Sequence, residues 1–160
     1  MKKIAAIIIV TFGLILSGQE SNKAPSFRLE SVGGDYVELD SLLVNGPVLL
    51  NFWASWCKSC KDELPDIHRI KDEFKEKGLS VVTVTIDNPS AVRRAVSFLR
   101  TRDLDLMLLK DSDMRVFRSY GGTNTVPFTF LIDQERTIRF SKRSHTDYKE
   151  LFEEISKLIE

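Results

Sequence analysis

The chain has 160 residues, of which 42% are hydrophobic, enough apolar material for one ordinary core but not for two. Its 23 basic and 23 acidic residues cancel, and neither sign forms a long run. The composition therefore gives no support to a nucleic-acid-binding protein, for which a basic face is expected. With only two cysteines, the chain is not a disulfide-stapled scaffold either.

The N-terminal segment has the layout of a secretory signal. Two lysines precede an apolar stretch, residues 4–16, and small and polar residues follow it. As a helix this stretch would rise only about 20 Å, short of the roughly 30 Å hydrocarbon core, so a permanent transmembrane span is the weaker interpretation. We predict a signal peptide in residues 1–18, with its retention as an anchor left open, a linker in residues 19–25 and one domain in residues 26–160. The domain would then face an extracytoplasmic space, where disulfides persist.

The first half of the domain predicts a hairpin, a buried strand and a helix. Alternating segments on either side of residues 33–35 indicate a β-hairpin. Residues 47–54 (PVLLNFWA) are almost continuously apolar, as in a central strand covered on both faces. Apolar residues then recur at helical spacing until Gly78, which is expected to end the helix. They are Leu64, Ile67, Ile70 and Phe74.

The next part of the chain predicts strands and helices in alternation. Residues 79–86 are rich in β-branched side chains and indicate a second buried strand. A helix is predicted from residues 88–90 to about Arg102, followed by a strand in residues 104–109 and a short helix in residues 111–120. The apolar positions of the longer helix are Val92, Val96 and Leu99.

The last part of the chain predicts a hairpin and a final helix. Residues 127–133 and 137–141 are the two strands of the hairpin. The helix begins near Asp147, and Glu150 stands three residues further on, as in a capping box. The alternation of strands and helices indicates an α/β layered domain. The side chains that the final helix is expected to bury are Tyr148, Leu151, Phe152, Ile155 and Leu158.

Both cysteines stand in the segment NFWASWCKSC, where the buried strand gives way to a helix. Cys57 is therefore expected at the helix N-terminus, where unpaired N–H groups and the helix dipole favour a thiolate, and Lys58 adds positive charge. Cys60, one turn further on, is placed to attack the mixed disulfide that Cys57 forms with a partner. Trp53 and Trp56 are expected to flank the pair as apolar walls.

Two other uses of the pair are less favoured. As a staple, a bridge across so short a loop restrains the unfolded chain by only about 2 kcal/mol, against nearly 5 kcal/mol for a hundred-residue loop. As half a zinc site, the pair needs two more ligands, and only His68 and His145 stand beside the carboxylates. The pattern favours redox chemistry, with no metal and no cofactor.

Two segments carry a resemblance to a known family. NFWASWCKSCKDELP resembles the active-site segment of the thioredoxin superfamily, and most closely that of the exported TlpA and ResA-like thiol–disulfide oxidoreductases. TVPFTFLID resembles that family's second signature, in which a cis-proline faces the cysteines. The likeness covers most of residues 24–160. It implies a thioredoxin-like fold of the α/β class, a central mixed sheet flanked by helices, with an N-terminal β-hairpin and an inserted helix–strand segment.

The resemblance also implies a partner-binding groove. Pro127, preceded by Val126, matches the cis-proline, which would leave a backbone edge beside Cys57 for a partner's extended chain. Trp56 is expected to bind the partner as well. Phe128 stands where relatives commonly have Thr or Glu, a departure that could reshape the groove.

Glu63 is the candidate for proton management. It matches a glutamate of ResA-like proteins that lies three residues after the second cysteine and is implicated in managing the protons of the thiols. Asn51 occupies the position of a buried aspartate in cytosolic thioredoxins, and an amide does not titrate. Glu63 is therefore the candidate base for Cys60. The alternative is a solvated Glu63 on a charged helix turn, next to Lys61 and Asp62.

The resemblance implies an enzyme, a protein-disulfide reductase in the periplasm or another extracytoplasmic space. Its substrates would be disulfides of exported proteins such as apocytochrome c, which implies a role in cytochrome c maturation. A membrane thiol carrier would supply electrons, and a monomer is expected.

Two alternatives stay open. A thiol peroxidase of peroxiredoxin type would need the pattern P-x-x-x-T-x-x-C, in which Leu50 and Ala54 replace the proline and the threonine here. A binding or chaperone module would use the cis-proline groove without turnover and would not depend on Cys57.

Overall fold

A seven-stranded mixed sheet organises the chain in this computed structural model, which describes residues 22–159. The spatial order of the strands is β2-β1-β5-β4-β3-β6-β7. The strands are β1 (Arg28–Ser31), β2 (Tyr36–Glu38), β3 (Val48–Trp53), β4 (Ser80–Thr85), β5 (Met107–Lys110), β6 (Phe128–Ile132) and β7 (Ile138–Lys142). The helices are α1 (Leu39–Leu43), α2 (Lys58–Phe74), α3 (Val92–Thr101), α4 (Arg115–Ser119) and α5 (Tyr148–Ile159).

The centre of the sheet is β3, and all six of its residues are buried. It pairs in parallel with β4 and antiparallel with β6, while β4 pairs in parallel with β5. The predicted central strand is confirmed, and so are the two predicted hairpins, β1–β2 and β6–β7. A strand buried on both faces needs the nearly unbroken apolar run that the sequence has here.

The helices divide between the two faces of the sheet. The connections β3–α2–β4 and β4–α3–β5 step in the same direction across the sheet, so right-handed crossovers place α2 and α3 on the same face. The helix α5 joins them, since the rings of Phe74 and Phe152 lie 5.3 Å apart. On the opposite face, Phe117 of α4 packs 5.3 Å from Phe52. The cysteine pair lies where β3 leads into α2.

The helix α2 ends as predicted. It continues through Pro65 to Phe74, and a single 3₁₀ turn leads to Gly78. Gly78 has a φ of 86°, and a Cβ atom there would lie 2.8 Å from the carbonyl oxygen of Asn45. Glycine is therefore required at this turn for both its backbone angle and its close approach.

The described part of the predicted linker belongs to the domain. The N–H of Ala24 donates to the carbonyl of Arg136 at 2.8 Å, and the N–H of Ile138 donates to the carbonyl of Asn22 at 2.8 Å. Ala24 is buried. The linker prediction is therefore wrong for residues 22–25, because this segment pairs with residues 136–138, where the chain enters the edge strand β7.

The predicted signal peptide, residues 1–18, lies outside the described residues. Within residues 22–159, none of the helices combines the length and apolar character that crossing a membrane requires.

The predicted helix α3 is present, but its apolar positions are not all buried. Of Val92, Val96 and Leu99, only Leu99 is buried, while Val96 is 36% exposed. Ala91, Ala95 and Leu99, spaced by four, form the buried face of this segment. The following strand begins at Met107, later than predicted.

The prediction for α5 is also partly wrong. Asp147 accepts the N–H of Glu150 at 3.0 Å, as in a capping box, but the carboxylate of Glu150 forms an ion pair with Lys142 instead of completing the box. Only Leu151 and Ile155 of the five predicted residues are fully buried. The other three, Tyr148, Phe152 and Leu158, are half-buried and pack against the edge of the core.

Candidate active site around the cysteine pair

The two cysteines form a disulfide at the start of α2. Cys57 is the N-cap residue, as predicted, and its Sγ atom accepts the backbone N–H of Cys60 at 3.1 Å. Cys57 is 6% exposed and Cys60 is fully buried. Cys57 is therefore the cysteine that a partner can reach, and its sulfur lies where the helix terminus favours negative charge.

The two tryptophans occupy different environments. Trp56 is 60% exposed, whereas Trp53 is fully buried and its ring lies 6.1 Å from that of Phe98. The prediction that both form walls of the site is therefore wrong for Trp53. As the last residue of β3, Trp53 points to the face covered by α2 and α3, while Trp56 lies on the turn beyond the strand.

The loop before β6 lies against the cysteine pair. The peptide bond between Val126 and Pro127 is cis, and the carbonyl oxygen of Val126 lies 3.6 Å from Cys57 Sγ. Val126 is 8% exposed. The two residues that the resemblance assigned to partner binding thus adjoin Cys57, the more accessible cysteine of the pair.

Phe128 does not line this loop's outer surface. Its ring is 3% exposed and packs 4.1 Å from that of Phe130, in the core. The guanidinium of Arg143 lies 4.0 Å above the Phe128 ring, in a cation–π contact. Phe128 therefore presents no ring to a partner, and the exposed side chain that packs on it is Arg143.

Glu63 is buried beneath the pair. Its Oε1 atom accepts the side-chain amide of Asn51 at 2.7 Å, and its Oε2 atom accepts the backbone N–H of Thr146 at 2.9 Å. Burial raises the pKa of Glu63 to about 7, although both hydrogen bonds oppose the rise. The alternative of a solvated Glu63 is wrong, because this side chain is fully buried, although Asp62 beside it is exposed.

Asn51 joins β3 to the buried carboxylate. Its Nδ2 group donates to Glu63 and, at 2.9 Å, to the hydroxyl of Thr129 on β6. Its Oδ1 atom is buried and has no hydrogen-bond partner among the described residues. Sequence reasoning missed Thr129 and Thr146. The hydroxyl of Thr129 in an otherwise apolar strand was an available signal, whereas Thr146 contributes only a backbone group, which no residue type reveals.

The charge expected from Lys58 is compensated. Its ammonium group lies 2.8 Å from the carboxylate of Asp62, and the Lys58 side chain is 88% exposed. The sequence predicted a positive charge beside Cys57, and the ion pair with Asp62 offsets it. The helix terminus is therefore the stronger source of thiolate stabilisation at this site.

The structure thus brings Cys57, Cys60, Val126 and Pro127 into one place, with Glu63 one helix turn below Cys60. A slightly accessible sulfur, a fully buried second sulfur and a carboxylate that titrates near neutrality can together carry out disulfide exchange with proton transfer.

A family model described as the AhpC/TSA family matches residues 21–141. The chain belongs to the AhpC/TSA family. It is similar to the thiol-disulfide oxidoreductase ResA of Bacillus subtilis (strain 168), with 32% identity over 137 residues that cover 82% of this chain and 74% of that protein. It is also similar to the thioredoxin-like protein YneN of the same strain, with 31% identity over 122 residues, 76% of this chain and 69% of that protein.

Solved structures of similar proteins share the fold. A putative thiol:disulfide interchange protein DsbE from Chlorobium tepidum matches with a TM-score of 0.77 and 27% identity, over 88% of this chain and 97% of that one. The peroxidoxin BcpB from Mycobacterium tuberculosis matches with a TM-score of 0.73 and 25% identity, over 86% and 94%. The thioredoxin-like fold and the ResA-like resemblance are confirmed, and the chain is a thiol–disulfide oxidoreductase with a C-x-x-C pair.

Proposed function

We propose that this enzyme reduces disulfides of exported proteins in an extracytoplasmic space, with Cys57 as the attacking cysteine, Cys60 as the resolving cysteine and Glu63 as the proton acceptor. The observation that carries the proposal is the asymmetry of the pair: Cys57 is 6% exposed, whereas Cys60, on the helix that holds Glu63, is fully buried. Thiol exchange needs this division between an accessible attacker and a sheltered resolver.

In the first step, the Cys57 thiolate attacks one sulfur of the partner's disulfide. A bond forms between Cys57 and that sulfur, the partner's S–S bond breaks, and the second partner sulfur leaves as a thiolate. The N–H of Cys60, 3.1 Å from Cys57 Sγ, favours the thiolate before the attack.

In the second step, the Cys60 thiolate attacks the Cys57 sulfur of the mixed disulfide. The Cys57–Cys60 bond forms, the bond to the partner breaks, and the partner leaves with both of its sulfurs reduced. Cys60 must first lose its proton, and the carboxylate of Glu63 accepts it. A base whose pKa is about 7 is suited to this transfer at neutral pH.

Partner binding is proposed for Trp56, Val126 and Pro127. Trp56 offers an exposed apolar surface, and the backbone of Val126 lies against Cys57 Sγ, where an extended chain carrying a disulfide can pair with it. Main-chain pairing makes few demands on the partner's sequence, which suits an enzyme that acts on more than one exported protein.

The location and the direction of electron flow belong to the same proposal. The signal-like N-terminal sequence and the relatives described as thiol–disulfide oxidoreductases support an extracytoplasmic reductase. We propose apocytochrome c as a substrate, a membrane thiol carrier as the electron donor and a monomer as the working form. Tethering to the inner membrane by the N-terminus remains part of the proposal.

The test compares the wild type with Cys57→Ser and Cys60→Ser, on a peptide disulfide with a fluorescence readout and dithiothreitol as the electron source. We expect Cys57→Ser to lose turnover and Cys60→Ser to accumulate a mixed disulfide that mass spectrometry detects. Turnover that survives Cys57→Ser contradicts the proposal and favours a module that binds without exchange.

The equilibrium reduction potential tests the direction. A value well below roughly −220 mV supports a reductase, and a value near roughly −120 mV replaces it by an oxidase or isomerase.

A thiol peroxidase is the second candidate, because a peroxidoxin is among the similar structures. The residue at the hydroxyl position of the peroxiredoxin pattern is Ala54, which is buried and has no hydroxyl to offer. We therefore expect hydrogen peroxide consumption to be the same for the wild type and for Cys57→Ser. Faster consumption by the wild type favours the peroxidase.

A further inference from the structure

Asp87 is a buried carboxylate just beyond the end of β4, and its partners lie next to the cysteine pair. It is 1% exposed. Its Oδ2 atom accepts the backbone N–H of Ser55 at 2.9 Å and the hydroxyl of Thr85 at 2.7 Å, and its Oδ1 atom accepts the hydroxyl of Ser55 at 3.0 Å. A buried carboxylate is retained only where such donors compensate its lost hydration.

Ser55 belongs to the turn that delivers Cys57 to the helix. The N–H of Cys57 donates to the carbonyl of Ala54 at 3.0 Å and closes a turn in which Ser55 and Trp56 are the central residues. Below the turn, the N–H of Ile86 donates to the carbonyl of Trp53 at 3.0 Å, which joins the ends of β3 and β4. The two bonds from Ser55 to Asp87 extend this junction to the turn itself.

We propose that Asp87 is a positioning residue that holds this turn, so that Cys57 stays at the N-terminus of α2 and Trp56 stays at the surface. The inference rests on the proposed role of Cys57 as the attacking cysteine. Release of the turn would let Cys57 Sγ move away from the N–H of Cys60 and from the carbonyl of Val126, which lie 3.1 Å and 3.6 Å from it. A displacement of about 1 Å at a reacting group can reduce a rate by as much as about a hundredfold.

Asp111 provides a matched control. It lies just beyond the end of β5, is also 1% exposed, and accepts the backbone N–H groups of Val116 and Phe117 at 3.2 Å and 2.7 Å. It therefore organises the start of α4 as Asp87 organises the turn before α2. Loss of either carboxylate removes buried hydrogen bonds, but only Asp87 bonds to the turn that carries Cys57.

The experiment uses Asp87→Ala, Asp87→Asn and Asp111→Ala in the whole chain. Each reduced protein is alkylated with iodoacetamide over a range of pH, and mass spectrometry gives the rate at each cysteine separately. Turnover of the peptide disulfide is measured in parallel. Asparagine keeps an oxygen that accepts the N–H of Ser55 and has an amide N–H that can donate to the Ser55 hydroxyl. It therefore preserves both bonds to Ser55 and removes only the charge.

We expect Asp87→Ala to move the alkylation of Cys57 to higher pH and to lower turnover about tenfold. Asp87→Asn should restore both to within about twofold of the wild type. Asp111→Ala should leave the pH of Cys57 alkylation unchanged. An Asp87→Ala protein with unchanged alkylation, or an equal shift in Asp111→Ala, overturns the inference. Failure of Asp87→Asn to restore the wild-type values overturns it too, in favour of a role for the charge.

Ser55→Ala covers the case in which Asp87→Ala does not fold. It removes the hydroxyl bond and keeps the backbone bond, so a smaller shift in the same direction is expected, and no shift counts against the inference. Alkylation of the wild-type protein distinguishes a failure of this inference from a failure of the proposed function. If Cys60 is alkylated before Cys57 in the wild type, the assignment of the attacking cysteine is wrong, whatever the Asp87 variants do.

Discussion

The two faces of β3 differ in chemistry, although they belong to the same buried strand. On one face, Phe52 lies among aromatic rings of α4, β6 and the residue that follows α4, with centroid distances of 5.3 Å to Phe117 and 5.5 Å to Tyr120. On the other, Asn51 stands in a row of fully buried polar side chains that crosses the sheet, between Thr83 of β4 and Thr129 of β6. Glu63 lies over this second row.

The two faces of β3 make different contributions to stability and to redox chemistry. The aromatic face gains from burial and ring packing alone. The polar face must satisfy each donor and acceptor, and it holds the two buried side-chain atoms that lack a hydrogen-bond partner in residues 22–159, Asn51 Oδ1 and Trp53 Nε1. Local departures from an optimal core are expected near functional sites. Changes on the first face should therefore affect folding alone, and changes on the second should affect redox chemistry as well as folding.

The largest effect is expected on the aromatic face. Phe52→Ala removes a ring with no exposed surface, and we expect it to lower the free energy of unfolding by about 3–5 kcal/mol. Urea denaturation measures this loss. Under conditions in which the variant is folded, its reduction potential should match that of the wild type. A changed potential shows that the two faces are coupled.

The next effect concerns pH and the polar face. The pKa of Glu63 is raised from 4.5 to about 7 by burial, so between these values the unfolded chain releases the proton while the folded protein keeps it. The contribution of Glu63 to the free energy of unfolding is fully present below about pH 4.5. It is lost as pH rises through about 7, by about 3 kcal/mol in total. Urea denaturation at several pH values, with Glu63→Gln as the reference, measures it. A constant difference between the two proteins from pH 4 to 8 contradicts the assignment.

Glu63→Gln should also slow the resolving step. Loss of the base is expected to reduce the rate at which Cys60 releases a bound partner by about a hundredfold at neutral pH, which corresponds to about 3 kcal/mol in activation free energy. Rapid-quench measurement of the mixed disulfide gives this rate. The first attack, by Cys57, should be affected much less, and equal slowing of both steps contradicts a role confined to Cys60.

These two predictions depend on a feature that the sequence could predict only in part. The central strand was predictable from its apolar run, and the position of Cys57 was predictable from the change of strand into helix. The burial of Glu63 was not predictable from its charged neighbours, because the N–H that binds it comes from Thr146, 83 residues further along the chain. The packing of residues 22–25 depends likewise on a distant edge strand.

A smaller effect is expected from Thr129→Val. It deprives the Asn51 amide of one acceptor and should lower the free energy of unfolding by about 1–2 kcal/mol. Thr83→Val is the matched control in the same row, since the Thr83 hydroxyl bonds to the carbonyl of Met107 and not to Asn51. Only Thr129→Val should alter the pH dependence of the resolving step. A change of equal size in Thr83→Val assigns the effect to sheet packing.

The smallest effect is expected outside both faces. Lys58→Met removes an exposed ion pair with Asp62, and we expect no measurable change in stability and little change in the pH at which Cys57 is alkylated. Iodoacetamide labelling measures the second quantity. A large shift restores the sequence-based expectation that the charge of Lys58 supports the thiolate.

The amide at position 51 limits the buried network to a single ionisable proton. An aspartate there would share the site with Glu63, and the two carboxylates would release their protons in coupled steps. With asparagine, Glu63 titrates as one group, and the Asn51 amide donates a hydrogen bond to it and another to the Thr129 hydroxyl. If Cys57 reacts as a thiolate and Cys60 as a thiol, each turnover displaces one proton inside the protein. The network can therefore hold the one proton that Cys60 gives up in the resolving step. It does so beside a disulfide that exchanges two electrons.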